Sequence, residues 1–346
     1  MRAVVMTRPG GPEVLELVDR PDPQPGPGEA VVRVHAVAVN RLDIWVREDV
    51  GHAYAARLPV IPGYDVGGEV AAVGTGVADV QVGETVYVHY DYACGRCAFC
   101  LEGDEAACAA YEVMGVQRDG GYAELVLAPA RNIFALPEGL DARTAAAAGS
   151  VYLTAYHMLF ARAGLRPGET VLVTAGGSGV GGAAIALARM AGAVVIATAS
   201  TADKRERLLG ASVDHAIDYT TPGWPDEVRA LTGGRGVDVA VDHVGRSAFP
   251  GALRALANRG RLVICGASSG PEATIDLVDV FARQVSIIGS SDGSRRELVE
   301  VFRLLAEGRV PSPPISAELP LERAVDAQAL LASRDHYGRV LLTPGV

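Results

Sequence analysis

A glycine-rich turn between two regular segments constrains the fold of this chain more than any other feature. It lies in the run VLVTAGGSGVGGAAIALARMAG, between a strand-like apolar stretch and a helix-like stretch. Glycines keep such a turn tight and let the backbone approach a pyrophosphate, which then lies at the positive end of the helix. Because the turn opens a strand–helix–strand unit, it predicts a dinucleotide site. The alternative is that its glycines serve only packing: Gly176, Gly177, Gly179, Gly181 and Gly182.

Two patterns of apolar residues divide the sequence into two kinds of folding unit. Roughly the first 130 residues alternate short β-rich runs with Gly and Pro, which predicts a small, largely antiparallel barrel or sandwich. From about residue 145, strand-like and helix-like runs alternate, which predicts a doubly wound parallel sheet. A helix and a closing strand follow. We therefore expect an α/β protein with one domain of residues 1–150 and 291–346 and a nucleotide-binding domain of residues 151–290.

The end of the second strand of the nucleotide-binding unit indicates which dinucleotide fits. An NAD site usually places Asp or Glu there, on the ribose 2′-hydroxyl, but the run AVVIATAS ends in Ala199 and Ser200. Thr201, Lys204 and Arg205 follow, and Lys204 is the only lysine of the chain. A hydroxyl beside a cation suits a 2′-phosphate. We expect NADP(H), the alternative being that these residues are only the polar start of a solvated helix.

Four of the five cysteines form one short cluster. Cys94, Cys97, Cys100 and Cys108 are separated by two, two and seven residues. Four thiolates on one loop can surround a Zn²⁺ ion and leave no open position for substrate, so the predicted site is structural. An iron–sulfur cluster is the alternative, although the seven-residue gap and the lack of a following Pro disfavour it.

Composition excludes some classes of partner. The formal net charge is −10 and no basic run offsets it, so nucleic acid is not expected as a ligand. The sequence has no apolar stretch of about 18 residues and no leader-like start, which predicts a soluble protein without membrane contact. Clustered cysteines without a disulfide pattern indicate a reducing compartment, so we expect the cytoplasm.

Several further motifs occur in a specific order. PGYDVGGEV begins at Pro62, VGETV at Val82, GGYAE at Gly120 and GRGVDVAVDHVG at Gly234. Together with the cysteine cluster and the glycine-rich turn, they resemble the medium-chain dehydrogenase/reductase superfamily, and the last motif is similar to its quinone oxidoreductase members. The resemblance covers nearly the whole chain. It implies a GroES-like barrel domain, a Rossmann domain, a substrate cleft between them and a homodimer or homotetramer, with the run VSIIGSS as a pairing edge.

The resemblance breaks where a catalytic zinc would be held. The alcohol dehydrogenases of this superfamily use two Cys and one His, and the matching positions here are Asn40, Tyr64 and Ser150. The carboxylate that follows the His becomes Asp65, which alone cannot hold Zn²⁺ against water. The sequence therefore implies one structural zinc per subunit and no catalytic zinc.

Three side chains are candidate catalytic residues. We expect the Tyr64 phenol to donate a hydrogen bond or proton to the substrate oxygen, with Asn40 as a second donor. Asp43 has the N-x-x-D spacing of the superfamily and is expected to orient pocket groups, although a capping role fits equally well. Tyr64 has an alternative too, which is to fill the space of the lost zinc and its His ligand.

Histidines offer no paired metal spacing. His52 lies in a loop close to the Tyr64 segment and is expected to be exposed, the alternative being that it reaches a pocket. His157 and His243 are expected to be packing or capping residues rather than acids.

The resemblance also implies the residues that contact the cofactor. One departs from the family pattern, since Ser178 replaces the middle glycine of the turn; it is small, and its hydroxyl can bond a phosphate. The implied contacts are Thr154, Gly176, Gly177, Ser178, Gly179, Val180, Gly181, Ser200, Lys204, Tyr219, Val244, Gly245, Gly266, Ala267, Ser290 and Arg339.

These observations predict an NADP(H)-dependent oxidoreductase that transfers hydride to a quinone or an α,β-unsaturated carbonyl compound. Without a Lewis acid, a delocalised anion is easier to stabilise than an alkoxide, which favours conjugated acceptors. Two alternatives stay open. One is a zinc-dependent alcohol dehydrogenase that interconverts alcohols and aldehydes, and the other is a protein that binds NADPH without turnover.

Overall fold

A computed structural model describes residues 1–50, 55–211 and 213–344, so His52 lies outside the described residues. The chain divides into two compact units. The first comprises Met1–Gly149, Leu298–Glu307 and Ser312–Val346, and the second comprises Ser150–Glu297 and Gly308–Pro311. We expected the chain to return to its first domain at residue 291, and the first unit resumes at Leu298.

The N-terminal part of the first unit is built mainly from strands. Its elements are β1 (Arg2–Met6), β2 (Leu15–Asp19), β3 (Glu29–Ala38), α1 (Arg41–Arg47), β4 (Asp65–Val73), β5 (Thr85–Val88), β6 (Asp91–Tyr92), α2 (Ala98–Glu102), β7 (Glu112–Val113), β8 (Leu125–Pro129) and β9 (Ile133–Ala135). β3 is the longest strand, and most of its residues are buried. It pairs antiparallel with β4 and, over its first half, with β8. These antiparallel ladders form the expected GroES-like sheet.

Close packing explains one glycine of the PGYDVGGEV motif. Gly67 lies on β4, between β3 and β5. A Cβ atom at Gly67 would lie 1.8 Å from the carbonyl oxygen of Ala142, so no larger residue fits there. Glycine therefore lets the chain at Ala142 pass directly over this strand.

The second unit alternates helices and strands. Its elements are α3 (Ala142–Tyr156, which begins just before the unit), β10 (Thr170–Val173), α4 (Gly179–Met190), β11 (Val194–Ala199), α5 (Ala202–Gly210), β12 (His215–Asp218), α6 (Trp224–Leu231), β13 (Val237–Asp242), α7 (Phe249–Ala255), β14 (Leu256–Ile264), α8 (Leu277–Ala282) and β15 (Ser286–Gly289). The six strands are all parallel and lie in the order β12-β11-β10-β13-β14-β15. Because this order reverses direction beside the first strand of the unit, it is the doubly wound Rossmann arrangement. The predicted fold class is confirmed.

One apolar cluster holds the helices of the second unit against its sheet. Leu172 of β10 and Ile196 of β11 are buried in it, as are Val228 of α6 and Leu253 of α7. The strands read as continuous apolar runs because both faces of a parallel sheet are covered. The sheet is therefore packed against helices, and the loops of the candidate cofactor site follow the C-terminal ends of its strands.

The C-terminal part completes the sheet of the first unit. Its elements are α9 (Arg295–Ala306), β16 (Ile315–Pro320), α10 (Ala324–Ser333) and β17 (Arg339–Thr343). β17 pairs antiparallel with the end of β3, where Leu341 lies opposite Ala38, and parallel with β16. The last described strand thus inserts beside one of the first.

The helices of the described chain are short. None of them is long and apolar enough to cross a membrane. The longest, α3, has 15 residues and continues into a π-helical turn over His157–Arg162. The protein therefore offers no helical membrane span within the residues described.

Candidate functional site

A buried carboxylate organises the polar cluster of the first unit. Asp65 is completely buried at the start of β4. Its Oδ1 accepts a hydrogen bond from the Tyr87 hydroxyl at 2.7 Å. Its Oδ2 accepts from Asn40 Nδ2 at 3.0 Å and from Arg339 Nη2 at 2.9 Å. A carboxylate that receives three donors has its main hydrogen-bonding needs met within the protein.

Asn40 is oriented by the backbone as well as by Asp65. It precedes α1, and its backbone N–H donates to Asp43 Oδ2 at 2.8 Å. Its amide nitrogen donates to the Ala38 carbonyl at 3.2 Å and to Asp65 at 3.0 Å. Because an amide NH₂ has two hydrogens, both are used within the protein. The role expected for Asn40, a second donor to the substrate, does not fit these contacts; its side chain holds its neighbours in position.

Asp43 lies in α1, directly beneath Asn40. Besides the Asn40 N–H, its Oδ2 accepts a hydrogen bond from the Tyr122 hydroxyl at 3.0 Å. Burial raises the pKa of Asp43 from 3.8 to about 7, although these two hydrogen bonds oppose the rise. Asp43 therefore changes its charge near neutral pH while it caps the helix and holds Tyr122.

Tyr64 is largely buried and directly precedes the Asp65 of this polar cluster. It is 9% exposed and packs edge-on against Tyr90, with ring centroids 4.8 Å apart. Because Tyr64 is bonded to Asp65, the three hydrogen bonds that hold the Asp65 side chain also restrict the backbone at Tyr64. Ser150, the third position that the resemblance matches to a zinc ligand, is buried in the second unit. Tyr64, Asn40 and Asp43 are thus brought together in one unit, as neighbours of one buried network.

The glycine-rich turn joins β10 to α4 at the carboxyl edge of the parallel sheet. Ala175 has a φ of 47°, which side chains rarely adopt, and its N–H donates to Thr198 Oγ1 at 3.1 Å. Ser178 caps α4, and its Oγ accepts from the N–H of Gly181 at 3.0 Å. A Cβ atom at Gly181 would lie 2.4 Å from the Ala175 carbonyl. The turn therefore presents the helix N-terminus at close range, as a pyrophosphate requires.

Asp242 positions the neighbouring loop, a role that the GRGVDVAVDHVG motif alone does not predict. It is completely buried at the end of β13, and its Oδ1 accepts from Thr174 Oγ1 at 2.7 Å. Its two oxygens also accept the backbone N–H groups of Val244 and Gly245 at 3.2 and 3.1 Å. The carboxylate thus ties the loop after β13 to the strand that carries the glycine-rich turn.

The end of β11 lies where the ribose 2′ position is expected. Thr201 caps α5 and accepts the N–H of Lys204 at 3.3 Å. Arg205 is paired with Asp218 at 2.8 Å, across the neighbouring strand β12. Hydrogen bonds from Thr220 and the Arg205 cation hold the pKa of Asp218 below its ordinary value. Arg205 is thus paired with a carboxylate, and the prediction of a 2′-phosphate ligand depends on Lys204.

The remaining predicted cofactor contacts lie in both units. Thr154, Tyr219, Gly266, Ala267 and Ser290 belong to the second unit, together with the glycine-rich turn. Ser290 Oγ is buried without a hydrogen-bond partner in the described chain, which fits a group that a ligand satisfies. Arg339 lies in the first unit, where Nη2 is bonded to Asp65 while Nε has no partner among residues with described positions.

The four cysteine sulfurs form the metal-ligand cluster that the sequence predicts. All four lie within 4.8 Å of one another, and no other group of three or more His, Cys, Asp or Glu ligand atoms was found in residues 1–50, 55–211 and 213–344. The Sγ atoms of Cys94 and Cys97 lie 3.9 and 3.5 Å, respectively, from the Sγ atom of Cys100. A tetrahedron with Zn–S bonds of about 2.3 Å has edges of about 3.8 Å, so the spacing fits one zinc ion.

His157 and His243, both singled out in the sequence, each lie close to one polar side chain. His157 Nδ1 lies 3.0 Å from Glu297 Oε2, in the second unit. His243 Nε2 lies 2.8 Å from Ser178 Oγ, so this residue contacts the predicted cofactor turn rather than serving only as packing. The sequence offered no sign of this contact, because the two residues are 65 positions apart.

Comparison with protein families identifies two matching models. Residues 26–138 match an alcohol dehydrogenase GroES-like domain, and residues 179–307 match a zinc-binding dehydrogenase domain. A quinone oxidoreductase of Rattus norvegicus is 30% identical over 99% of this chain and 97% of its own length. The phthioceranic/hydroxyphthioceranic acid synthase of Mycobacterium tuberculosis is 33% identical over 99% of this chain, which spans 15% of that relative's length.

Comparison with solved structures also finds a dehydrogenase. A crystal structure of an NAD-dependent alcohol dehydrogenase is 45% identical, with a TM-score of 0.95 and complete coverage of both chains. Alcohol dehydrogenase and quinone oxidoreductase relatives therefore both share this fold, and the chain's own residues must distinguish between their reactions.

Proposed function

The chain belongs to the medium-chain dehydrogenase/reductase superfamily, and from this premise we propose that it reduces a quinone or an α,β-unsaturated carbonyl compound with NADPH and without a catalytic zinc. It is an oxidoreductase of this superfamily. One observation carries the proposal. Asn40, Tyr64 and Ser150 stand where the zinc-dependent members have Cys, His and Cys, and the adjacent carboxylate of Asp65 is already satisfied by three donors.

The reaction needs a proton or hydrogen-bond donor at the substrate oxygen. When bound, NADPH supplies a hydride, and an enone or quinone that accepts it gains two electrons and must take up a proton. Tyr64 is the donor in this proposal, because Asn40 has no amide N–H left for the substrate. The backbone that carries Tyr64 is supported by the hydrogen-bonded group of Asp65, Asn40, Tyr87 and Arg339. Asp43 accepts hydrogen bonds from the Tyr122 hydroxyl and from the N–H of Asn40 at the start of α1.

NADPH is the proposed cofactor, held by the sixteen predicted contacts described above. Neither Ala199, the last residue of β11, nor Ser200 after it is a carboxylate. Lys204 lies in the first turn of α5. Tyr219 follows Asp218, whose charge is offset by Arg205. A relative of 45% identity is named for NAD, so the comparison of the two dinucleotides is an essential part of the test.

One structural zinc ion is proposed for the cysteine cluster. Cys94, Cys97, Cys100 and Cys108 would complete its tetrahedral shell and connect α2 to the loop before β7. The thiol-rich loop fits a reducing compartment, so we propose a cytoplasmic location.

We also propose that the protein is a homodimer or homotetramer. β15 is an edge strand of the parallel sheet, and its Ile287 is 38% exposed. In the preceding helix, Leu277 and Phe281 are both 67% exposed. An exposed strand edge beside large apolar side chains is suited to pairing with a second copy.

The second candidate function is zinc-dependent alcohol dehydrogenase activity, favoured by the relative of 45% identity that is named an alcohol dehydrogenase.

The test measures initial rates of NADPH and NADH oxidation with quinones, enones and simple aldehydes, together with zinc content. NADPH oxidation confined to quinones or enones, at one zinc per chain, supports the proposal. Aldehyde or alcohol activity that a chelator abolishes, at two zinc ions per chain, supports the alternative. Tight NADPH binding with no turnover would indicate a non-catalytic protein.

A further inference from the structure

His243 connects the loop after β13 to the glycine-rich turn. Its Nε2 lies 2.8 Å from Ser178 Oγ, which also accepts the N–H of Gly181 at 3.0 Å. Its Nδ1 is buried and has no hydrogen-bond partner in the part of the chain that the structure describes. The Asp242 carboxylate beside it is occupied by Thr174 and by backbone N–H groups.

These contacts determine which ring nitrogen carries the proton. If Ser178 donated to Nε2, the proton would be on Nδ1, and a buried N–H would have no acceptor. Orphaned buried N–H groups are rarer than under-satisfied acceptors, because a buried N–H without a partner loses its hydrogen bond to water and gains none. The favoured tautomer therefore has the proton on Nε2, which donates to Ser178 Oγ. Burial lowers the pKa of His243, which keeps the ring neutral in this arrangement.

This tautomer leaves one hydrogen-bonding group of Ser178 unused. Its oxygen accepts from both His243 and Gly181, so its hydroxyl hydrogen must point elsewhere. The first N–H groups of an α-helix have no partner within it. In α4 these include the N–H groups of Gly179 and Val180, which follow Ser178 directly in the chain. A phosphate at this end would meet two N–H groups and one O–H group.

We propose that His243 is a positioning residue that fixes the Ser178 hydroxyl as a hydrogen-bond donor to the pyrophosphate of the dinucleotide. This inference rests on the proposed function, because it requires that the turn binds NADPH. It explains how serine substitutes for the middle glycine of the turn: the side chain adds a directed donor, and the histidine prevents that donor from turning back into the protein.

The experiment measures the dissociation constant of NADPH by fluorescence titration. Ser178→Ala removes the donor and should weaken binding about tenfold, as expected for a lost hydrogen bond to a charged group. His243→Phe should weaken it about three- to tenfold, because the hydroxyl loses its orientation. His243→Gln keeps an N–H near the position of Nε2 and should restore most of the affinity. His215→Phe, in the edge strand β12 of the same sheet, is the matched control.

The double variant tests whether His243 acts through Ser178. In the Ser178→Ala background, His243→Phe should change the dissociation constant by less than about twofold. The inhibition constant of adenosine 2′-monophosphate, which lacks the 5′-phosphates, should not change in any of these variants. Additive effects, or no rescue by His243→Gln, would overturn the inference. Failure of the wild-type protein to bind NADPH would instead refute the proposed cofactor.

Discussion

Replacing Asp65 by asparagine tests the buried network that supports the candidate site. The side chains of Asp65 and Arg339 are 0% and 5% exposed, and their charges lie 2.9 Å apart. Asp65→Asn keeps the shape but leaves the Arg339 guanidinium buried without its counter-charge. Breaking one partner of such a pair costs about 3–5 kcal/mol. For domains of this size, this corresponds to a decrease in Tm of roughly 6–20 °C.

Differential scanning calorimetry of the full chain measures this effect. Asp226→Asn is the matched control, because Asp226 pairs with Arg254 in an ion pair whose side chains are 58% and 60% exposed. It should change stability by less than about 0.5 kcal/mol. Arg339→Met in the Asp65→Asn background removes the unpaired charge and should recover part of the lost stability. Equal effects of Asp65→Asn and Asp226→Asn would refute the argument that the buried pair holds this site.

Four further predictions concern the site, the cofactor and the metal. Tyr64→Phe should lower kcat with a quinone or enone by roughly 100-fold or more; an unchanged kcat would leave Tyr64 with a space-filling role. Lys204→Ala should raise the KM for NADPH by about tenfold or more and leave that for NADH unchanged, and equal changes would refute the 2′-phosphate contact. Burial raises the pKa of Asp43 from 3.8 to about 7, so between these pH values the folded protein keeps a proton that the unfolded chain has released. The contribution of Asp43 to the free energy of unfolding therefore decreases as pH rises from about 4 to about 7. Asp43→Asn should remove this part of the pH dependence in urea unfolding, and an unaltered profile would contradict it. Cys108→Ser should reduce the zinc content below one ion per chain and lower Tm, whereas retention of a full zinc equivalent would exclude Cys108 as a ligand.

Local patterns in the sequence predict the fold and the ligand clusters well. The glycine-rich turn and the alternation of apolar runs predict the parallel sheet, because each strand and helix leaves a periodic signal within a few residues. The cysteine spacing predicts the sulfur cluster for the same reason: all four ligands lie on one loop, between Cys94 and Cys108.

Contacts between distant residues could not be predicted in this way. Arg339 is 274 positions from Asp65, and Tyr122 is 79 positions from Asp43, so no local pattern links them. The orientation of the Asn40 amide depends on these same contacts, which is why the sequence suggested a donor and the structure shows its N–H groups already used. Side-chain direction in a buried network follows from tertiary packing rather than from residue type.

The position of β17 has a consequence for biosynthesis. A ribosome makes the chain from its N-terminus, so β3 and Asp65 emerge long before the strand that covers the end of β3 and carries the counter-charge. The strands of the second unit lie in one nearly continuous stretch and can pair earlier. During synthesis the first unit therefore holds an open strand edge and a carboxylate without its cation. A chain released before Arg339 should be recognised by proteases and chaperones as unfinished, because this strand edge and this carboxylate are still unpaired.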